Sequence, residues 1–210
     1  MFRSLKLENA ARGLVCSILM TCAPMMLSAA EPALGYGFVG QVLNVSPAQS
    51  LQYGYLSWVS GIDSVSTGDG TISETTALLS FYNDTTTQQV INNGPIRTID
   101  RTGTSTIYIN EPGSGNFANP DSFRGGKPVQ TCQLRHQVVI DTSTGYFTAT
   151  FEMTVESAVL FRIKEGTYRL GAPGKKYRWS VYGRLTQSGP PSAHIAGFAS
   201  GVHAESIQTE

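Results

Sequence analysis

The sequence predicts an all-β protein, an antiparallel β-barrel of about ten strands, with a two-sheet β-sandwich as the alternative. After residue 30, short runs that alternate apolar and polar residues recur, and turn-forming residues separate them. No long window has the apolar spacing of an amphipathic helix. One apolar and one polar face on each strand is typical of antiparallel sheets with one solvated side.

The first thirty residues are predicted to be a signal peptide. Three basic residues among the first twelve precede a mostly apolar run at 13–27, and the small residues Ser28-Ala29-Ala30 follow. The apolar run is shorter than the roughly 20 residues of a helix that spans a bilayer, which makes an uncleaved membrane anchor the less favoured alternative. We therefore predict cleavage after Ala30 and a secreted or periplasmic, extracytoplasmic location.

The remaining residues 31–207 are expected to form one all-β domain. Removal of the signal peptide takes three basic and one acidic residue from fifteen of each, which leaves a net charge of −2. This near-neutral charge argues against a nucleic-acid partner, and no later apolar stretch predicts a transmembrane span. Cys132 becomes the single cysteine, so an internal disulfide is excluded and a buried thiol is expected.

The clearest strand pair lies at 130–140 and 146–156, joined by a turn that contains Asp141 and Gly145. Alternation predicts which side chains face the interior. In the first strand these are Cys132, Leu134, His136, Val138 and Ile140, and in the second they are Phe147, Ala149, Phe151, Met153 and Val155. The predicted register places Ile140 opposite Phe147, Val138 opposite Ala149, His136 opposite Phe151 and Leu134 opposite Met153, and a slip of one residue mismatches every pair.

The other predicted strands are shorter or less regular. A clear one lies at 176–186, with Tyr177, Trp179, Val181 and Leu185 facing inward. Weaker strands are predicted at 37–45, 51–60, 75–82, 96–101, 105–110, 158–163 and 193–202. Long strands and the small-residue run at 193–199 favour a closed barrel over a sandwich. The loops at 61–73 and 111–128 exceed the usual hairpin length, so each is either a binding segment or disordered.

No catalytic motif, metal-ligand spacing or cofactor-binding loop is present in the sequence, so no catalytic residue, metal or cofactor is predicted. His136 and Cys132 share one strand face, but four residues along a strand span about 13 Å at roughly 3.3 Å per residue. That distance is too long for an activated Cys–His pair or a shared zinc. His136 is either a hydrogen-bonded core histidine or a residue that contacts a ligand.

A basic and aromatic surface is predicted on the outer face of the strand at 176–186. Lys176, Arg178 and Arg184 alternate onto the solvent side together with Tyr182. Such a face is suited to sugars or acidic polymers, and it is also common as a solubilising sheet exterior.

A segment of about forty residues resembles the order of features in allene oxide cyclase and dirigent-type barrels. It contains Ser80-Phe81-Tyr82, then Gly94-Pro95, then Gly113-Ser114-Gly115-Asn116-Phe117. The resemblance implies a β-barrel with an internal hydrophobic cavity. It implies no activity, because catalytic residues cannot be matched one by one, and roughly 80 further residues depart from the compact eight-stranded pattern of these families.

Two hypotheses for function follow. The favoured one is a non-enzymatic exported barrel that binds a small apolar ligand, a glycan or a surface partner. The alternative is a barrel enzyme of isomerase, cyclase or hydrolase type with an internal cavity. Either type of interior binding requires a cavity of about 300 Å³ or more. The sequence does not predict the oligomeric state. The candidate ligand-binding residues are His136, Trp179, Phe151, Tyr53 and Tyr55.

Overall fold

The computed structural model describes residues 35–68, 70–202 and 204–207, and the predicted signal peptide at 1–30 lies outside them. The elements are the strands β1 (Tyr36–Asn44), β2 (Gln49–Val59), β3 (Leu79–Asn93), β4 (Ile96–Ile109), β5 (Lys127–Asp141), β6 (Tyr146–Ala158), β7 (Phe161–Ile163), β8 (Gly166–Leu170), β9 (Lys176–Leu185), β10 (Ala193–Ser200) and β11 (Ala204–Ser206), and one 3-10 helix at Pro120–Arg124.

Eight strands form a closed antiparallel barrel in the order β1-β10-β9-β6-β5-β4-β3-β2. The ring closes where β1 pairs with β10, with Tyr36 opposite Ala199. Consecutive strands are neighbours throughout, except that β7 and β8 are inserted between β6 and β9 and pair with β11 in a separate three-stranded sheet. The predicted all-β barrel is therefore confirmed, and closure excludes the sandwich alternative.

The predicted hairpin of β5 and β6 has the expected register. His136 lies opposite Phe151, and the other three predicted pairs are also present. All ten side chains assigned to the interior are buried. The register shifts between Thr131 and Cys132, beyond the last predicted pair. Alternation is clear in this hairpin because its inward residues are almost all apolar, so pattern and pairing agree.

Strands β3 and β4 differ most from the prediction. β4 is continuous from Ile96 to Ile109, although two separate strands were expected within it, and β3 continues well past the predicted end at residue 82. The cause is the polar character of their inward side chains, which include the buried Asn83, Thr85, Arg101 and Ser105. Polar residues on an inward face remove the apolar alternation from which a strand is recognised.

Aromatic side chains fill the interior of the barrel around Trp179, which has no solvent exposure. The indole packs against Phe38, Phe81 and Phe151 at ring-centroid distances of 4.3, 5.1 and 5.6 Å. Its Nε1–H donates to the Tyr36 hydroxyl at 2.7 Å. Trp179 therefore serves the packing of the core.

A buried polar chain continues from Tyr36 toward the β7–β8 insertion. The Tyr36 hydroxyl donates to Tyr177, which donates to Gln130 Oε1, and Gln130 Nε2 donates to the carbonyl of Leu170 in β8. Cys132 lies beside this chain and is buried, as expected. Burial raises the pKa of its thiol to about 11, so the group is a neutral thiol at physiological pH.

The long segment between β4 and β5 is packed against the outer face of the barrel. Phe123, within the 3-10 helix, is fully buried and packs against Tyr53 at 5.5 Å between ring centroids. Its carbonyl accepts a hydrogen bond from Ser80 Oγ at 2.6 Å. Phe117 packs against Phe123 and Tyr55. This loop therefore has an apolar contact of its own with the barrel.

Candidate functional site

A cavity of about 50 Å³ lies inside the barrel at the end that carries the β1–β2, β5–β6 and β9–β10 turns. Along β5 its lining runs from His136 through Val138 to Ile140, the last of which adjoins the turn. It is lined by Val42, Asn44, Gln52, Ile99, Arg101, His136, Val138, Ile140, Phe147, Ala149, Phe151, Val181, Leu185, Ala193 and Ile195. Most of these side chains are apolar, and the polar ones are on β1, β2, β4 and β5.

The volume of this cavity is far below the roughly 300 Å³ of a pocket that encloses a typical small ligand. A water-sized group needs about 10–15 Å³ by the same measure, so the cavity accommodates only a few such groups. A ligand enclosed wholly within the barrel is excluded by this size. What remains possible at this end is a ligand that inserts one small part and leaves the rest at the mouth.

Leu185 marks the solvent edge of the site. Alternation predicted that Leu185 faces inward, and its side chain lines the cavity. It is nevertheless 36% exposed, because the residue lies at the end of β9, where the barrel opens. Leu185 lines the mouth of the cavity instead of the packed core.

Arg101 and His136 form a polar pair on the wall of the cavity. They lie directly opposite each other on β4 and β5. Arg101 Nη1 is 3.4 Å from His136 Nε2, and Arg101 Nε donates to Thr87 Oγ1 at 3.3 Å. Because a guanidinium has no acceptor, Arg101 is the donor to Nε2, and His136 must carry its proton on Nδ1.

His136 is neutral in this position. The side chain is 1% exposed, and burial, together with the nearby charge of Arg101, lowers the pKa of the imidazole to about 3. Its Nδ1–H is buried and has no hydrogen-bond partner among the described residues. A buried donor without a partner is costly in the free protein.

Arg101 carries a positive charge that is not neutralised by the part of the chain described here. The described residues form three ion pairs, and none of them involves Arg101. These pairs are Arg124–Asp121, Arg169–Glu205 and Arg178–Glu152. Only 9% of Arg101 is exposed, and desolvation lowers the pKa of its guanidinium. Arginine nevertheless stays protonated in proteins, so an unpaired cation lies inside the barrel.

The five candidate residues from the sequence are divided between two places. His136 and Phe151 line the cavity, and their rings are in tilted contact at 4.4 Å between centroids. Trp179 contacts Phe151 from the core and is not among the lining residues. Tyr53 and Tyr55 lie on the outer face of β2, in contact with Phe117. Only His136 and Phe151 line the cavity, and a binding role for all five residues stays a prediction.

Sequence reasoning missed Arg101, because it took the residue for the last of a short strand. One signal was available: Arg101 has the same parity as Ile99 and therefore shares its inward face. A continuous β4 paired with β5 places it opposite His136. An arginine on the inward face of a predicted strand is the signal that could have identified Arg101 as part of the site.

The outer face of the barrel carries an exposed aromatic pair. Tyr146 and Tyr182 stack at 5.7 Å between ring centroids, and the Arg184 guanidinium lies 5.0 Å from the Tyr146 ring. The outward direction predicted for Tyr182 and Arg184 is confirmed. This pair and the guanidinium form the aromatic and basic outer face that the sequence predicts.

Comparisons of the chain with family models, curated proteins and solved structures found no match. Among the described residues, no three His, Cys, Asp or Glu side chains are grouped so as to hold a metal ion. The same residues contain no helix of the length and hydropathy needed to cross a bilayer.

We expect the free energy of unfolding to fall as the pH drops below about 6.5, with a contribution from His136. Its pKa is about 3 in the folded protein and near 6.5 when unfolded, so the unfolded chain binds the extra proton. The stabilisation is complete above pH 6.5 and is lost toward pH 3, at up to about 1.4 kcal/mol per pH unit, or about 2 kcal/mol by pH 5. Urea denaturation at several pH values measures this slope.

The matched variants are His136→Gln and His194→Gln, because His194 is exposed on β10. His136→Gln should flatten the slope between pH 6.5 and 5, whatever its effect on stability at pH 7. His194→Gln should leave the slope unchanged. An equal slope in the wild type and His136→Gln would show that His136 is not the buried neutral group described above.

Proposed function

We propose that this protein is an exported, non-enzymatic β-barrel that binds a small molecule at the barrel mouth, with one end of the molecule inserted toward Arg101 and His136. The observation that carries the proposal is an open, mostly apolar cavity with unpartnered buried polar groups in its wall. These groups are His136 Nδ1 and Gln52 Oε1. Native structures rarely leave such groups unpaired, and these two have no partner among the described residues, so a group bound in the cavity can pair with them.

Binding is favoured over catalysis because the described residues place no activated nucleophile near the cavity. The neutral thiol of Cys132 hydrogen-bonds within the core, with Gln130 and Tyr177. Arg101 Nη1 occupies His136 Nε2, the lone pair that a general base would use. No activity is proposed from the resemblance to allene oxide cyclase and dirigent-type barrels.

The proposal is tested by methyl NMR of the protein without its signal peptide, titrated with 1-pentanol and with pentanoate. We expect at least one probe to shift the methyl signals of Val138, Ile140 and Ile195, which line the cavity. The methyl groups of Val159 and Leu160, exposed outside the barrel, should stay in place. The proposal would be overturned if neither probe shifted the cavity methyl signals up to its solubility limit.

A matched pair of variants locates the binding. Ala149→Leu adds three carbons to a residue that lines the cavity, so it should abolish the shifts. Ala196→Leu makes the same change on the exposed face of β10 and should preserve them. Shifts of the Tyr146 and Tyr182 ring signals by an oligosaccharide, without any response at the cavity, would instead favour a glycan-binding outer face.

A further inference from the structure

We propose that the part of the ligand inserted into the barrel is a carboxylate, and that the ligand is a short-chain apolar monocarboxylic acid whose carboxylate is bound by Arg101 with help from His136. This inference rests on the proposed function and names the chemical class of its ligand. It depends on the charge and the hydrogen-bond donors of the cavity wall.

The positive charge of Arg101 favours an anionic ligand. A cation with 9% exposure and no carboxylate partner among the described residues is costly to bury. A carboxylate that enters the cavity neutralises it and accepts charge-assisted hydrogen bonds from the guanidinium, which are the strongest hydrogen bonds in proteins. The ligand then supplies the counter-charge that the fold lacks.

The donors on the wall point to the same group. Arg101 occupies His136 Nε2, so the free ring position of His136 is the Nδ1–H donor. An ionised carboxylate has acceptor sites only and can accept from both residues. Gln52 Oε1 is an unpaired acceptor on the same wall, and it suits a donor such as a hydroxyl group elsewhere on the ligand.

The remaining wall selects the size and polarity of the ligand. From His136 toward the mouth the lining on β5 is Val138 and Ile140, and Phe147 faces them from β6. These residues offer contact to an alkyl chain and no polar group to a second charge. One guanidinium matches one negative charge, so a phosphate dianion would leave a charge unpaired in apolar surroundings. A cavity of about 50 Å³ accommodates about three or four water-sized groups, which is little more than the carboxylate itself, so the alkyl chain lies toward the mouth.

The test compares ligands of one length in the NMR titration described above. Pentanoate should bind at least tenfold more tightly than 1-pentanol and pentanamide, and more tightly than inorganic phosphate. Side-chain NMR of the wild-type protein should show the Arg101 Nε–H signal moving with pentanoate and not with pentanol. This readout requires no variant and therefore does not depend on the folding of a mutant.

The variants Arg101→Met and Arg135→Met form a matched pair on neighbouring strands. Arg101→Met keeps the length of the side chain and removes its charge, so pentanoate affinity should fall at least tenfold and the preference for pentanoate over 1-pentanol should be lost. Arg135 is exposed on the outer face of β5, so Arg135→Met should leave that preference unchanged.

Three results separate the two proposals. If pentanol and pentanoate bind the cavity equally, the proposed function stands and the carboxylate inference fails. If pentanoate binds more tightly but Arg101→Met leaves that preference intact, the assignment of Arg101 fails. If no probe reaches the cavity methyls, both proposals are overturned.

Discussion

Replacement of Trp179 with alanine is expected to lower the free energy of unfolding by about 3–5 kcal/mol, the usual cost of deleting a fully buried large aromatic side chain. The indole has no exposed surface and packs against Phe38, Phe81 and Phe151. Its loss also leaves the Tyr36 hydroxyl without the donor that binds it. A cavity in the middle of the barrel cannot collapse easily, because the surrounding strands are hydrogen-bonded into a ring.

The control is Trp58→Ala, because Trp58 is the other tryptophan of the chain and is 40% exposed on β2. Its truncation should change the free energy of unfolding by much less, since a partly exposed side chain loses little burial. Urea denaturation followed by circular dichroism measures both variants without relying on tryptophan fluorescence. Equal losses in the two variants would contradict the central position assigned to Trp179.

Replacement of Gly54 with valine should lower the free energy of unfolding by about 3 kcal/mol, the upper part of the range for overpacked sites. Gly54 faces Gly40 across the β1–β2 ladder. A Cβ atom at Gly54 would lie 2.6 Å from Gly40 Cα and closer still to the carbonyl oxygen of Val39. Both neighbours are backbone atoms of the adjacent strand, so relief requires the strands to separate.

Gly68→Val is the matched control for this prediction. A Cβ atom at Gly68 meets nothing within 4 Å, and the residue is exposed in the loop between β2 and β3. Its effect should be within about 0.5 kcal/mol, as for other exposed positions. The midpoint of urea unfolding distinguishes the two outcomes. A Gly54→Val protein as stable as the wild type would show that the β1–β2 ladder is less tightly packed than described.

The sequence predicts strands whose inward side chains are apolar far better than strands whose inward side chains are polar. On β5 and β6, apolar residues such as Val138 and Phe151 alternate with polar ones, and this period of two is sufficient to assign faces and register. The short strands β8 and β11 were missed, because three to five residues are too few to show alternation.

On β3 and β4, the residues that interrupt the alternating pattern are also those that form the polar wall inside the barrel. Asn83, Arg101 and Ser105 face inward and break the apolar pattern. Local rules are expected to fail where a protein places polar groups for a purpose other than stability. Finding Arg101 beside His136 required the pairing of two strands, and pairing over that distance is not contained in a local pattern.

The seam between β1 and β10 has a consequence for how the chain reaches its fold. Closure brings together the first and last strands of the barrel, and the hydrogen bond between Trp179 and Tyr36 joins residues 143 positions apart. Contacts this distant in sequence slow folding into the range of milliseconds to seconds. Until the ring closes, β1 and β10 each expose an unpaired edge, which can pair with the same edge of another chain. Refolding of this protein should therefore be most efficient at high dilution.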